Sequence, residues 1–162
     1  MTKRLSLFAV MLAIAGHVCA QAPAVATDEQ IAEGKKNYMT ICFACHQPTG
    51  MGIPMVFPPL VKSPYANGSP ERFAAIILKG NIGAFKVDDK PYNNIMPAQE
   101  AVLTDDKIAS VMTFVRASFG NTSGPVTAEV VAAARKKFID RKTSWTQPEL
   151  DAWKEDATVS AK

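Results

Sequence analysis

Residues 42–46 read Cys42-Phe43-Ala44-Cys45-His46. Two thiols separated by two residues and followed at once by an imidazole make C-x-x-C-H, the attachment sequence for c-type haem. The spacing has a physical basis. On one helical turn both thiols can add to the vinyl groups of a haem, and the histidine that follows is brought against the iron as its proximal ligand. Two other uses of the pair compete. A redox Cys-x-x-Cys wants a preceding strand and a βαβ pattern, which the flanking sequence lacks. A structural zinc site wants four ligands, and this stretch supplies three. The single motif implies one covalently attached haem c, and the rest of the chain has to wrap it.

The N-terminal residues follow the three-part pattern of a secretory leader. Lys3 and Arg4 are followed by an apolar run from Leu7 to Ala15, then by Val18-Cys19-Ala20. The run is about half the roughly 20 residues a spanning helix needs, so a stable membrane anchor is not expected. A lipoprotein signal through Cys19 is the lesser alternative, because His17 and Val18 are bulky where small residues are wanted. Cleavage after Ala20 implies a periplasmic protein and changes the chemistry that remains. Cys19 and His17 go with the leader, leaving Cys42 and Cys45 as the cysteines and His46 as the histidine. A disulfide framework is therefore excluded for the exported chain.

With no second histidine, the other axial ligand is sought among Met39, Met51, Met55, Met96 and Met112. Met39 lies on the helix that enters the motif, and Met112 occupies an apolar position of a later helix. Met51 and Met55 follow His46 too closely to cross comfortably to the opposite haem face. Met96 remains, in Tyr92-Asn93-Asn94-Ile95-Met96-Pro97, where Pro97 disfavours helical geometry for the residue before it. Its alternative use is as an adaptable core filler.

The 162 residues are enough for one domain. An apolar fraction of 48% and a charged fraction of 20% belong to an ordinary globular protein. The formal charge of +3 falls by two with loss of Lys3 and Arg4. Arg135-Lys136-Lys137 is the only basic triplet, and no aromatic platform accompanies it, so nucleic-acid binding is not expected.

Helical signals dominate. Thr27-Asp28-Glu29-Gln30 is a capping box ahead of Ile31, Gly34, Tyr38 and Ile41 on one face. Ser69-Pro70 starts a helix through Lys79 that Gly80 stops. Thr104 caps another from Asp105 to Ser118, with Ile108, Val111, Met112 and Val115 at helical spacing. The loops 47–59 and 81–97 are long for so small a chain, and such loops usually carry function. Residues 122–162 hold two further helical patterns, Ala128 to Phe138 and one after the capping box Thr146-Gln147-Pro148-Glu149. This extension has too few apolar positions for a core of its own, so it packs on the preceding domain or on a partner. No stretch reads as a strand, and the expected class is all-α: a leader over 1–20, a haem domain over 21–121 and a helical extension over 122–162.

Residues from about 27 to 120 resemble the class I c-type cytochromes. Gly34 and Tyr38 precede the haem motif as in that family, and Phe114 matches the aromatic of the opposing helix. Pro58, followed by Pro59 and Leu60, stands where the family's proline carbonyl accepts the proximal histidine's Nδ1–H. Met96-Pro97 resembles the family's methionine loop. The resemblance implies helices wrapped around one haem c, with Cys42, Cys45, His46, Pro58, Leu60 and Met96 around the cofactor and His46 and Met96 on the iron. It implies an electron carrier rather than an enzyme, meeting periplasmic redox partners as a monomer or serving as the cytochrome subunit of a dehydrogenase. A peroxidase-type enzyme would need an open axial position, against which Met96 argues. Lys35, Lys36, Lys62, Lys79 and Lys86 are the candidates for a basic ring around the haem edge.

Overall fold

Thr27 opens the first helix with a reciprocal cap: its Oγ1 accepts from the Gln30 N–H at 3.2 Å, and the Gln30 side chain accepts from the Thr27 N–H at 2.9 Å. The computed structural model describes residues 25–154, so the leader expected over 1–20 lies outside the described residues. Helix α1 runs Asp28–Ile41 and α2, which carries the end of the C-x-x-C-H motif, runs Phe43–His46. Short α3 (Pro64–Asn67) leads into α4 (Pro70–Lys79), and α5 spans Asp105–Arg116. Ser69 and Thr104 cap α4 and α5 through their hydroxyls, as their sequence positions require.

Helices α1 and α5 cross closely at Gly34. A β-carbon there would lie 2.1 Å from the Ser110 carbonyl oxygen and 2.6 Å from Phe114 Cβ, so only glycine fits. The approach lets Asn37 Nδ2 donate to Ser110 Oγ at 2.9 Å and stacks Tyr38 against Phe114 with ring centroids 5.3 Å apart. Around this crossing, Leu78, Ile108, Met112 and Val131 are fully buried. Each such side chain contributes about 1.5–3 kcal/mol of apolar burial.

The segment 81–97, expected as an irregular loop, contains a two-stranded antiparallel hairpin, β1 (Ala84–Val87) and β2 (Lys90–Asn93). Asp88 and Asp89 turn it with φ of 49° and 59°. These are the left-handed values a tight hairpin turn demands, and aspartate adopts them more readily than most residues. The all-α class therefore holds with one small sheet added. Helix α5 ends at Arg116 rather than Ser118.

Residues beyond 120 fold back on the chain. Helix α6 (Ala128–Lys137) lies across α4 and α5, and α7 (Gln147–Asp151) reaches β1. Arg135 bonds the Asp105 carboxylate at 2.8 Å and the Glu100 and Leu103 carbonyls at 2.7 and 3.0 Å, which ties α6 to the start of α5. Phe138, Trp145 and Trp153 form a ring cluster with centroids 5.2–5.6 Å apart. Trp145 and Leu150 complete a second apolar cluster with Ala75, Ile76, Phe85, Val87 and Tyr92.

Candidate functional site

Between α1, α4, α5 and the two long loops lies an apolar cleft of about 1040 Å³, counting its open mouth. That is the top of the range for small-molecule and cofactor sites. Cys42, Cys45, His46, Pro58, Leu60 and Met96 all line it. The six residues singled out from the sequence are thus brought to one place. Tyr38 from α1, Phe73 and Ile77 from α4, and Val111 and Val115 from α5 furnish the floor.

The two cysteines lie one helical turn apart and are not joined in a disulfide. Burial pushes the Cys42 thiol up to about 11, with the neighbouring Cys45 adding to the shift.

His46 Nδ1 lies 3.0 Å from the Pro58 carbonyl oxygen. A carbonyl can only accept, so Nδ1 carries the proton and Nε2 keeps its lone pair. Burial holds the imidazolium below its ordinary range, and the bond to Pro58 offsets this only in part. The ring is therefore neutral, oriented and ready to donate from Nε2, which is what a metal ligand requires. The loop that delivers Pro58 is itself fixed: Leu60 N–H donates to the Gly50 carbonyl at 2.7 Å, and Asn121 Nδ2 donates to the Leu60 carbonyl at 2.9 Å.

Of the five candidate methionines, Met96 alone lines the cleft. Met112 is fully buried in the core, whereas Met51 and Met55 are 60% and 70% exposed. The Met96 backbone is held by a pair of hydrogen bonds with Asn81, Met96 N–H to Asn81 O at 3.0 Å and Asn81 N–H to Met96 O at 3.1 Å. Gly80 permits this approach, because a β-carbon on it would fall 2.1 Å from the Met96 oxygen.

Phe85, Val87 and Tyr92 of the hairpin also line the cleft and were missed in the sequence. Their signal is the alternation of buried and exposed positions along β1, read there as loop. Lys79, one of the candidate edge lysines, is only 4% exposed and its Nζ sits 2.6 Å from Glu100 Oε2. It is a buried ion-pair partner and leaves the set.

Two thiols on a turn, a neutral imidazole with a free Nε2 and a deep apolar cleft are the donor set and enclosure of a covalently held haem. A sequence profile for cytochrome c matches residues 31–118, and the chain belongs to the cytochrome c family. It is 34% identical over 117 residues to cytochrome c-552 of Thermus thermophilus, a match covering 67% of this chain and 88% of that one. The cytochrome c subunit of gluconate 2-dehydrogenase from Pantoea cypripedii is 32% identical over 105 residues, 64% of this chain and 24% of that one. The cytochrome c subunit of the quinone alcohol dehydrogenase from Gluconacetobacter polyoxogenes is 32% identical over 104 residues, 63% of this chain and 22% of that one. The chain thus spans about a quarter of each of these two subunits. Membership implies covalently bound haem c, and it makes this an electron-transfer protein rather than an enzyme. Among the described residues, no helix is long and apolar enough to cross a membrane.

Proposed function

We propose that this chain carries single electrons between periplasmic redox partners through one haem c, attached at Cys42 and Cys45 and ligated by His46 and Met96. The observation that carries this reading is the convergence of Met96, alone among the candidate methionines, on the cleft that holds Cys42, Cys45 and His46. When bound, the haem supplies a one-electron Fe(III)/Fe(II) couple. The protein does the rest. His46, steered by the Pro58 carbonyl, offers Nε2, and the neutral Met96 thioether favours the reduced ion and raises the potential. With haem bound, His46 and Met96 would hold the iron between them and would leave no ligand position for a substrate. The apolar floor excludes water, which keeps the reorganisation accompanying each transfer small. The leader pattern over residues 1–20 supports the periplasmic assignment.

A second reading, a cytochrome subunit serving a dehydrogenase, is favoured by the names of the relatives from Pantoea and Gluconacetobacter. Native size-exclusion watched at the haem absorption separates the two: a particle near the monomer mass supports the free carrier.

The ligand assignment is tested by spectra of Met96→Ala, Met51→Ala, Met55→Ala and Met112→Ala. Met96→Ala should lose the sulfur-to-iron charge-transfer band, move the ferric iron toward high spin and lower the potential. The other three should keep the band, with Met112→Ala losing about 2–5 kcal/mol of stability as a fully buried truncation. A band that survives in Met96→Ala and vanishes in Met51→Ala or Met55→Ala would reassign the ligand.

A further inference from the structure

Met96 is not held by its own loop alone. Asn81, its backbone partner, is paired on its other side with Trp145 in a parallel bridge. Ile82 N–H donates to the Trp145 carbonyl at 2.8 Å, and Trp145 N–H donates to the Gly80 carbonyl at 3.0 Å. Two isolated bridges thus join three segments separated in sequence, with 80–82 in the middle, Met96 on one side and Trp145 on the other.

The Trp145 edge is anchored on several sides. Its indole Nε1–H donates to the Ala75 carbonyl on α4 at 3.0 Å, and its ring is 7% exposed. Arg141 lies over the ring 3.6 Å from its centroid. That guanidinium is in turn held by the Glu149 carboxylate at 2.9 Å. Met96 packs against the same apolar cluster that contains Trp145.

We infer that Trp145 is a positioning residue for Met96: residues 144–146 clamp the 80–82 segment and so keep the thioether on the iron. The inference rests on the ligation by Met96 proposed above. Its physical content is a local opening. One route by which the sulfur leaves is for the Met96 segment to swing out and break its bonds to Asn81. A free 80–82 segment could move with it, whereas one tied to Trp145 cannot.

The test uses full-length ferric holoprotein titrated with imidazole, which competes for the position the thioether holds. Trp145→Ala should bind imidazole about tenfold more tightly than the unmodified protein, as expected when local opening becomes easier. Val131→Ala truncates a fully buried side chain of α6, an element that takes no part in the bridges to Asn81, and it should leave imidazole affinity within about twofold. Trp145→Phe keeps one aromatic ring but loses the second ring together with the N–H to Ala75, so it should bind imidazole with an affinity between those of Trp145→Ala and the unmodified protein. Should Trp145→Ala give no holoprotein, Trp145→Leu, which removes both the indole N–H and the aromatic ring, carries the same comparison. Equal imidazole affinities for the Trp145 and Val131 variants at matched urea midpoints would overturn the inference while leaving Met96 ligation intact. Absence of the sulfur-to-iron band in the unmodified protein would instead remove the ligation, and the positioning role with it.

Discussion

Replacing Gly34 by alanine puts one methyl group into the crossing of α1 and α5. The new carbon would sit 2.1 Å from the Ser110 carbonyl oxygen and 2.6 Å from Phe114 Cβ. Both obstacles are fixed, one backbone and the other the root of a side chain, so rotamer changes give no relief. Restoring an ordinary contact requires α1 and α5 to part by roughly 1 Å in a close-packed interior. Overpacking of this kind costs about 3 kcal/mol at the upper end of the usual range. Alanine returns about 1 kcal/mol through its better helix propensity. The net expectation is a loss of about 2 kcal/mol, which at an m-value of about 2 kcal/mol/M moves the urea midpoint down by about 1 M with the slope unchanged. The separation also pulls Tyr38 away from Phe114, whose ring centroids are now 5.3 Å apart, so near-ultraviolet dichroism should fall alongside stability. Urea titration of the holoprotein, followed separately by far-ultraviolet dichroism and haem absorbance, measures both. A variant as stable as the parent would show that the crossing can widen freely, and the packing argument for Gly34 would be wrong.

Two further outcomes follow from the charged groups. Glu100→Gln strips the partner from Lys79, which is 4% exposed, and should cost about 2 kcal/mol; Lys79→Met with Glu100→Gln should recover most of it, as paired removal of a buried charge usually does. Urea midpoints of the single and double variants decide this. The Glu149 carboxyl is held below the usual carboxylate range, first by the Thr146 N–H and then by Arg141. A depressed folded-state value means that its stabilisation is complete above the ordinary carboxylate range and lost as pH falls through the folded value. The midpoint difference between the parent and Glu149→Gln should therefore shrink between pH 5 and pH 3, and a constant difference would refute the assignment.

Much of this fold is legible in the sequence because its elements begin with local chemistry. Thr27, Ser69 and Thr104 start helices where hydroxyl caps precede apolar periodicity, and the structure begins helices there. The cluster around Cys42, Cys45 and His46 is legible for the same reason, its spacing being a property of a single turn. The hairpin was not. Its turn is Asp88-Asp89 rather than a glycine-containing pair, and Pro91 within β2 argues against a strand. Those strands exist because Phe85 and Tyr92, opposite one another in the register, bury against α4 and the C-terminal aromatics. That reason is tertiary and leaves little local trace. The pairing of Trp145 with residues 80–82 is invisible to sequence for the same reason, since it joins positions more than sixty residues apart through backbone atoms alone.

The bridge between residues 80–82 and Trp145 also bears on how copies of the chain avoid one another. The outer face of residues 80–82 presents an amide and a carbonyl, those of Ile82 and Gly80, that Trp145 satisfies internally. Without that cover the same two groups would form an open strand edge beside Ile82, whose side chain is already 42% exposed. Open edges flanked by apolar side chains are the templates on which chains pair with their neighbours. The C-terminal segment thus closes within one molecule a seam that would otherwise be available between molecules.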